Sequence, residues 1–235
     1  VAVTTQGGRT GITGGAVPEG GHILNLSRMK RVLGLRHDAA AGTFNVIVQP
    51  GLPLAELRAM IRQREFDTAG WDAESLAALD QFRRVGAFFA PDPTETSATI
   101  GGMVACNASG ACSFRYGPTR RYVAAVRMAL AHGVMLDVRR GRERAAGRAF
   151  RLKAENGPIL EGRLPAYAMP AVKNASGYFA ADDMDLVDLF VGAEGTLGVL
   201  TQIELALLPD PPCRWGVTLF FPSEAAAVAF VKAVR

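Results

Sequence analysis

Residues 6–18 read QGGRTGITGGAVP, and the nine positions 7–15 hold five glycines. A stretch this rich in glycine makes no stable helix or strand, because glycine gives up more backbone freedom on folding than any other residue. It can instead turn tightly and present successive backbone N–H groups, unobstructed by side chains, to an anion. Thr10 and Thr13 add hydroxyls, and Arg9 adds a guanidinium. The spacing is neither G-x-G-x-x-G nor a glycine loop closed by Gly-Lys, so neither of those nucleotide-loop readings fits. Taken alone, the stretch is a phosphate cradle or a glycine-rich turn. A short β-type run, Val1–Thr5, leads into it, and His22–Leu26 (HILNL) alternates as a strand behind it.

Two later stretches share this character. Residues 91–120 read PDPTETSATIGGMVACNASGACSFRYGPTR. Pro91-Asp92-Pro93 is stiff and extended. Gly101-Gly102 would let a flat ring approach the backbone, and Asn107, Ser109 and Gly110 offer short polar groups for the carbonyl and imide edges of a heterocycle. A helix opening near Ile100 would aim its positive end the same way. Residues 191–201, VGAEGTLGVLT, place Gly192, Gly195 and Gly198 at every third position before a strand. Glu194 among them would accept from a ribose hydroxyl or brace the turn. Each stretch is weak alone; the order and spacing of all three carry the weight.

Together with KNASGY (173–178) and FVGAEGTLGVLTQIELALLP (190–209), these stretches resemble the FAD-linked oxidases. These are the relatives of vanillyl-alcohol oxidase with a p-cresol-methylhydroxylase-type flavin domain, and the nearest likeness is to glycolate oxidase and D-lactate or D-2-hydroxyacid dehydrogenase flavoproteins. The resemblance runs from Gln6 to about Pro209. It implies an α+β fold of two α/β subdomains, truncated at both ends. Residues 1–209 would be the FAD-binding domain, incomplete at its N-terminus, and residues 210–235 the beginning of a substrate-binding cap. It also implies cofactor contacts. Gln6, Gly7, Gly8, Arg9, Thr10, Gly11 and Ile12 would wrap the pyrophosphate. Pro91, Asp92, Thr94, Ser97, Gly101, Gly102, Asn107, Ser109, Gly110 and Tyr116 would line the flavin and its ribityl chain, and Glu194, Gly195 and Val199 would close the nucleotide site.

The implied reaction is hydride transfer from the α-carbon of a 2-hydroxy acid or similar alcohol to flavin N5, while a base takes the hydroxyl proton. No residue here is a convincing base, and the catalytic groups are expected in the absent cap. Family members with covalent flavin often carry His directly after the first Gly-Gly; Arg9 stands there, and no cysteine directly precedes Gly101-Gly102. The expected cofactor is therefore non-covalent FAD. Cys106 replaces a small polar residue usual in the family and reads as a packing residue, since nothing near it in sequence would lower its pKa.

The rest of the chain agrees with a globular enzyme domain. Of 235 residues, 49% are hydrophobic and 20% charged, which excludes a disordered chain, a coiled coil or a fibre. No apolar run approaches the roughly 18 residues of a membrane span. Three cysteines, without a C-x-x-C pair, argue for reduced thiols and a cytoplasmic setting, peripheral to the inner membrane at most. Three scattered histidines without zinc spacing argue against a metal site. The net charge of +4 is local. Residues 139–153 (RRGRERAAGRAFRLK) hold seven basic residues and one acidic, leaving 19 basic against 21 acidic elsewhere. A solvated, mobile basic loop is the expected form, and no nucleic-acid partner is expected. Asp182, Asp183, Asp185 and Asp188 suggest a cation site only loosely, since a helix N-terminus explains them.

Periodicity places a strand at Phe44–Gln49, helices at Pro53–Ile61 and within Asp72–Arg84, and a hairpin of Val123–Ala131 and Val134–Arg139 around His132-Gly133. It adds a short helix at Asp185–Phe190, strands at Leu197–Leu208 and Trp215–Phe221, and a Ser-capped helix at Ser223–Arg235. Arg115 and Tyr116 face substrate, or brace the flavin loop and pack beside it. A rival function is a flavin-binding subunit without turnover of its own. Substrate identity and the electron acceptor stay open, as does the choice between a partner subunit and a homodimer.

Overall fold

The computed structural model describes residues 1–155, 157–175 and 177–234. The chain runs β1 (Val3–Gln6), β2 (His22–Asn25), β3 (Val32–Asp38), β4 (Thr43–Val48), α1 (Leu54–Gln63), α2 (Ala73–Val85) and β5 (Ala87–Phe88). It continues with α3 (Ile100–Ala105), α4 (Ser113–Tyr116), a 3-10 turn (Thr119–Tyr122), β6 (Val123–Ala129), β7 (Met135–Arg139), β8 (Ala149–Lys153), β9 (Ile159–Arg163), α5 (Val187–Phe190), β10 (Val199–Pro209) and α6 (Glu224–Val234).

The central sheet has the order β3-β4-β10-β6-β7, every neighbour antiparallel, and β5 adds to the end of β10. The 11-residue β10 organises it: Val199–Leu205 pairs with β6 on one side and Ile203–Leu207 with β4 on the other. Ile203, Leu205 and Leu207 alternate into the core and are almost fully buried, the period-two pattern of a strand with one covered face. β1 and β2 form a separate parallel pair, and β8 and β9 a hairpin.

Two helices flank the sheet, α2 against β3 and α1 against β5. α1 starts where Pro53 presets φ and buries Leu54, Leu57 and Ile61, one stripe of a 3.6-residue repeat. It stops at Arg64 in the left-handed region. α2 is capped by Asp72, whose carboxylate accepts from the Ser75 N–H at 2.8 Å, and ends at Gly86, φ 76°. The Asp72 carboxyl is lowered to about 2, chiefly by its hydrogen bonds from Ser75, with Arg36 adding to them. α2 packs on the sheet through Phe82, which meets the Phe44 ring edge-on at 5.3 Å.

The hairpin, both early strands, α1, α2 and β10 lie where periodicity puts them, within a residue or two at their ends. Three features differ. Periodicity places no strand at β3, which carries Gly34, Arg36, His37 and Asp38. It is a strand because β4 offers it an edge, and His37 stacks on Phe44 at 4.6 Å. The alternating Trp215–Phe221 forms no strand, with Trp215 and Phe220 about nine-tenths exposed; alternation needs a partner edge to become a sheet.

The third difference is the basic run. It is no solvated loop but the end of β7, a turn and β8, and most of its arginines are paired. Arg139 meets the buried Glu204 at 2.8 Å, Arg140 meets Asp188 at 2.8 Å, Arg144 meets Asp185 at 3.5 Å, and Arg148 pairs with Asp182. The acidic string needs no helix terminus and no cation to explain it. Asp182, Asp185 and Asp188 answer the arginines, and the Asp183 carboxylate accepts the Gly147 N–H at 2.7 Å.

Candidate functional site

A cavity of about 900 Å³ opens between the β1–β2 loop, α3 and the start of β10, toward the top of the size range of small-molecule sites. All three glycine-rich stretches reach it. Its wall includes Gly7, Gly8, Arg9, Thr10, Gly11 and Ile12 from the first, Thr94, Gly101, Gly102 and Ser109 from the second, and Glu194 and Gly195 from the third.

The walls are held by backbone approaches that only glycine allows. A Cβ on Gly7 would lie 2.2 Å from Thr99 Oγ1, and one on Gly8 would lie 2.7 Å from the Ser97 carbonyl. The loop therefore leans on segment 97–99 through its first two glycines. Segment 96–101 hangs in turn on the Pro50–Ala55 corner: Leu54 N–H donates to Ala98 O, Ala55 N–H to Thr96 O, and Gly101 N–H to Pro50 O, at 2.8–3.0 Å. Thr99 is the pivot. Its buried hydroxyl accepts from Gly102 N–H, capping α3, and from Gly8 N–H. Gly101 has a different reason from the one the sequence suggests: a Cβ there would meet Pro50 Cβ at 2.6 Å, so its missing side chain is filled by protein.

Past Gly8 the loop leaves the body. Arg9 adopts φ 58°, and nothing lies within 4 Å of where a Cβ on Gly11 would stand. Among the described residues, the amides from Arg9 to Thr13 donate to no protein acceptor, which leaves successive donors available beside a guanidinium. Another part of the cavity wall is apolar. Met128 of β6 and Leu200 of β10 stand directly opposite each other in register, with Phe190, Leu197 and Met103 nearby.

Eight of the expected residues stand behind the wall. Gln6 is buried, and its side-chain amide donates to Ala16 O at 2.8 Å, closing the glycine loop. Arg58 of α1 donates to Pro91 O at 2.7 Å and meets Asp92 at 2.9 Å, which fixes the extended Pro91–Pro93 entry. Gly110 lies against Asp92, where a Cβ would come 1.5 Å from its carbonyl oxygen. The Ser97 N–H is taken by Glu95. Asn107 is buried at φ 45°, closes α3, and accepts from Arg120 N–H at 3.0 Å. Tyr116 meets Phe88 edge-on at 5.5 Å and accepts from Tyr122 O–H through its carbonyl; it packs. Val199 opens β10 opposite Ala129.

Cys106 departs from expectation. It is an exposed part of the cavity wall rather than a packed residue. Its thiol is pushed up, first by the protein around the sulfur and then by the Glu194 carboxylate, so it is a poor nucleophile at neutral pH. Sequence reasoning also passed over Thr99, Met128, Phe190 and Leu200. Thr99 carries a signal, a hydroxyl three residues before Gly102. The others are ordinary apolar residues that only the pairing of β6 with β10 brings to the cavity. Among the described residues, no group of His, Cys, Asp and Glu is arranged to hold a metal, and no helix is long and apolar enough to cross a membrane.

Comparison with known proteins agrees with this geometry. Residues 71–139, from the approach to α2 through α3 to the end of β7, match the family model described as FAD binding domain. The chain is 30% identical over 225 residues to a D-lactate dehydrogenase of Anaerostipes hadrus, covering 95% of this chain and 34% of that protein. It is 30% identical to a D-2-hydroxyglutarate dehydrogenase of Xanthomonas citri pv. viticola, covering 95% and 35%. With the glycolate oxidase subunit GlcD of Bacillus subtilis the identity is 28%, over 99% of this chain and 37% of that protein. Among solved structures, an alkyldihydroxyacetonephosphate synthase superposes with a TM-score of 0.59 at 19% identity, over 99% of this chain and 32% of that one. The chain thus spans about a third of the length of these relatives. Its fold is the p-cresol-methylhydroxylase-type FAD-binding fold, and the cofactor of the matched domain type is FAD.

Proposed function

We propose that the cavity is the FAD site of an oxidoreductase that takes a hydride from the α-carbon of a 2-hydroxy acid or similar alcohol. The observation that carries this reading is the convergence of the three glycine-rich stretches on one cavity of about 900 Å³, with free amides on one part of its wall and apolar strand residues on another. The relatives named for D-lactate, D-2-hydroxyglutarate and glycolate support the substrate class.

The residues present fit the group. The amides of Arg9–Thr13 and the Arg9 guanidinium suit a pyrophosphate, whose charge needs several donors at once. Met103, Met128 and Leu200 suit the apolar faces of a ring system, and Ser109 lies along the wall between. Gln6, Asp92, Ser97, Asn107, Gly110 and Val199 would act from behind by holding the wall in shape, and Glu194 with Gly195 would close the nucleotide side. FAD supplies the hydride acceptor when bound. This chain would orient the ring, exclude water from its faces and neutralise the phosphates. Among the described residues no histidine lines the cavity, and the Glu95 carboxyl is held low by its hydrogen bonds from Ser97, so the base that takes the hydroxyl proton would come from a substrate-binding domain, of which residues 210–235 would be the beginning. Binding would be non-covalent, because among the described residues no histidine lines the cavity and the Cys106 thiol is pushed up. The setting would be cytoplasmic. A partner subunit is a second reading, since GlcD is itself named as a subunit.

The test is anaerobic addition of (R)-lactate, (R)-2-hydroxyglutarate and glycolate to the flavin-loaded protein carrying its substrate-binding domain. Loss of the visible flavin band with at least one of them is expected; an unreduced flavin with all 2-hydroxy acids, or a protein that takes up no flavin, would refute the reading.

A further inference from the structure

Behind the cavity lies a charge cluster whose charged side chains are none of the expected contacts. Arg120 ends the second glycine-rich stretch, in the 3-10 turn. Its guanidinium forks: Nη2 donates to Val191 O at 2.6 Å, and Nη1 donates to Asp188 O. These carbonyls lie within and just beyond the four-residue α5, where helix carbonyls run out of helical partners. The Asp188 carboxylate is 3.5 Å from the same guanidinium and takes two bonds from Arg140. The Arg120 backbone N–H donates to Asn107 Oδ1, and its guanidinium lies 4.5 Å from the Phe179 ring centroid. Only 16% of the Arg120 side chain and 12% of Asp188 are exposed.

The chain then goes straight from Val191 to the cavity. Gly192 N–H donates to Val104 O and Glu194 N–H to Ala105 O, both at 2.9 Å, which docks the turn on α3. Gly192 has φ 87° and Glu194 φ 51°. A Cβ on Gly192 would lie 3.3 Å from Arg120 Nη2 and 3.5 Å from Asn107 Cβ. A non-glycine residue such as Glu194 stays in the left-handed region only when its surroundings fix it there. Ala193, Glu194 and Gly195 are cavity wall.

We propose that Arg120 is a positioning residue for the cavity: by holding the Asp188 and Val191 carbonyls against Asn107, it sets the shape of the Gly192–Gly195 wall without touching a ligand. This rests on the reading of the cavity as an FAD site. The planar fork matters as well as the charge. Lysine in its place could meet Asp188 but could not bridge two carbonyls at fixed geometry.

The test compares Arg120→Met and Arg120→Lys with Arg139→Met, which removes the ion pair to the buried Glu204 but leaves its bond from Asn45; neither Arg139 nor Glu204 lines the cavity. Hydrogen exchange is followed on the flavin-free protein, and FAD affinity is measured separately. In both Arg120 variants the Gly192 and Glu194 amides should exchange faster, and FAD affinity should fall about tenfold, in the usual range of coupling between neighbouring sites. Arg139→Met should lower the melting temperature yet leave those two amides and FAD affinity as in the wild type. Should Arg120→Met not fold, Arg120→Lys, which keeps a charge for Asp188, carries the same comparison. Unchanged protection of Gly192 and Glu194 in the Arg120 variants, or a change matched by Arg139→Met, overturns the proposal. If the wild type takes up no FAD the flavin reading falls, and exchange alone decides whether Arg120 holds the wall.

Discussion

Adding one methyl group at either of two positions in the same loop separates what the glycines do for the fold from what they do for a ligand. In Gly8→Ala the new Cβ would stand 2.7 Å from Ser97 O, 3.3 Å from Thr99 N and 3.4 Å from Ala98 Cα. All three are backbone atoms of a segment bonded to the Pro50–Ala55 corner, so no flexible side chain can give way. An ordinary carbon–oxygen contact of roughly 3.3 Å requires the loop to lift by roughly half an ångström. Overpacking of this kind costs about 1–3 kcal/mol, or about 3–9 °C in melting temperature for a chain of this size. The lift also moves the Arg9–Thr13 amides relative to α3, so FAD affinity should fall as well. In Gly11→Ala the methyl meets nothing within 4 Å and φ is not positive. Stability should be unchanged, or higher by about 0.4–1 kcal/mol through the unfolded chain. The methyl nevertheless projects from the cavity wall, so FAD affinity should fall. The assay is thermal unfolding of the flavin-free proteins beside FAD titration of each. Full FAD affinity in Gly11→Ala, or a Gly8→Ala protein that loses neither stability nor affinity, would refute the argument.

Three further outcomes follow from single contacts. Thr99→Val removes both the α3 cap and the acceptor for Gly8 N–H; it should cost about 1 kcal/mol in denaturant unfolding and also weaken FAD binding. The Asp72 carboxyl sits near 2 in the folded chain against an ordinary 3.8, so its contribution is complete above pH 3.8 and is lost as pH falls toward 2. Asp72→Asn should therefore flatten the acid limb of the stability curve over that window and leave neutral-pH flavin binding intact. Because the Cys106 thiol is pushed up, it should alkylate slowly at neutral pH and faster as pH rises, and bound FAD should slow it further; mass-spectrometric labelling that shows rapid, FAD-insensitive modification would contradict its placement.

What the sequence made legible was whatever depends on neighbours along the chain. The α1 start at Pro53, the Ser223 cap, the hairpin at His132-Gly133 and the alternation of β10 are local signals, and the structure has them at those positions. Illegible features depended on distant partners. β3 exists because β4 and α2 cover it, and Trp215–Phe221 fails as a strand because nothing pairs with it. The basic run and the acidic string, about forty residues apart, looked like two surface features and are one network. In the cavity, glycine and polar motifs were visible, yet the reason for Gly7, Gly8 and Gly101 is contact with Thr99, Ser97 and Pro50, not only room for a ligand. Met128 and Leu200 carry no motif, since their shared place follows from strand register alone.

The claim that the Arg9–Thr13 amides and the apolar wall together form one FAD site is tested most directly by calorimetric titration of the flavin-free protein with FAD and, in parallel, with riboflavin. The account predicts one FAD per chain, binding much tighter than riboflavin because only FAD reaches the glycine loop, and full release of the flavin on acid precipitation. Absent FAD binding, equal affinity for riboflavin, or colour retained in the acid pellet would contradict it.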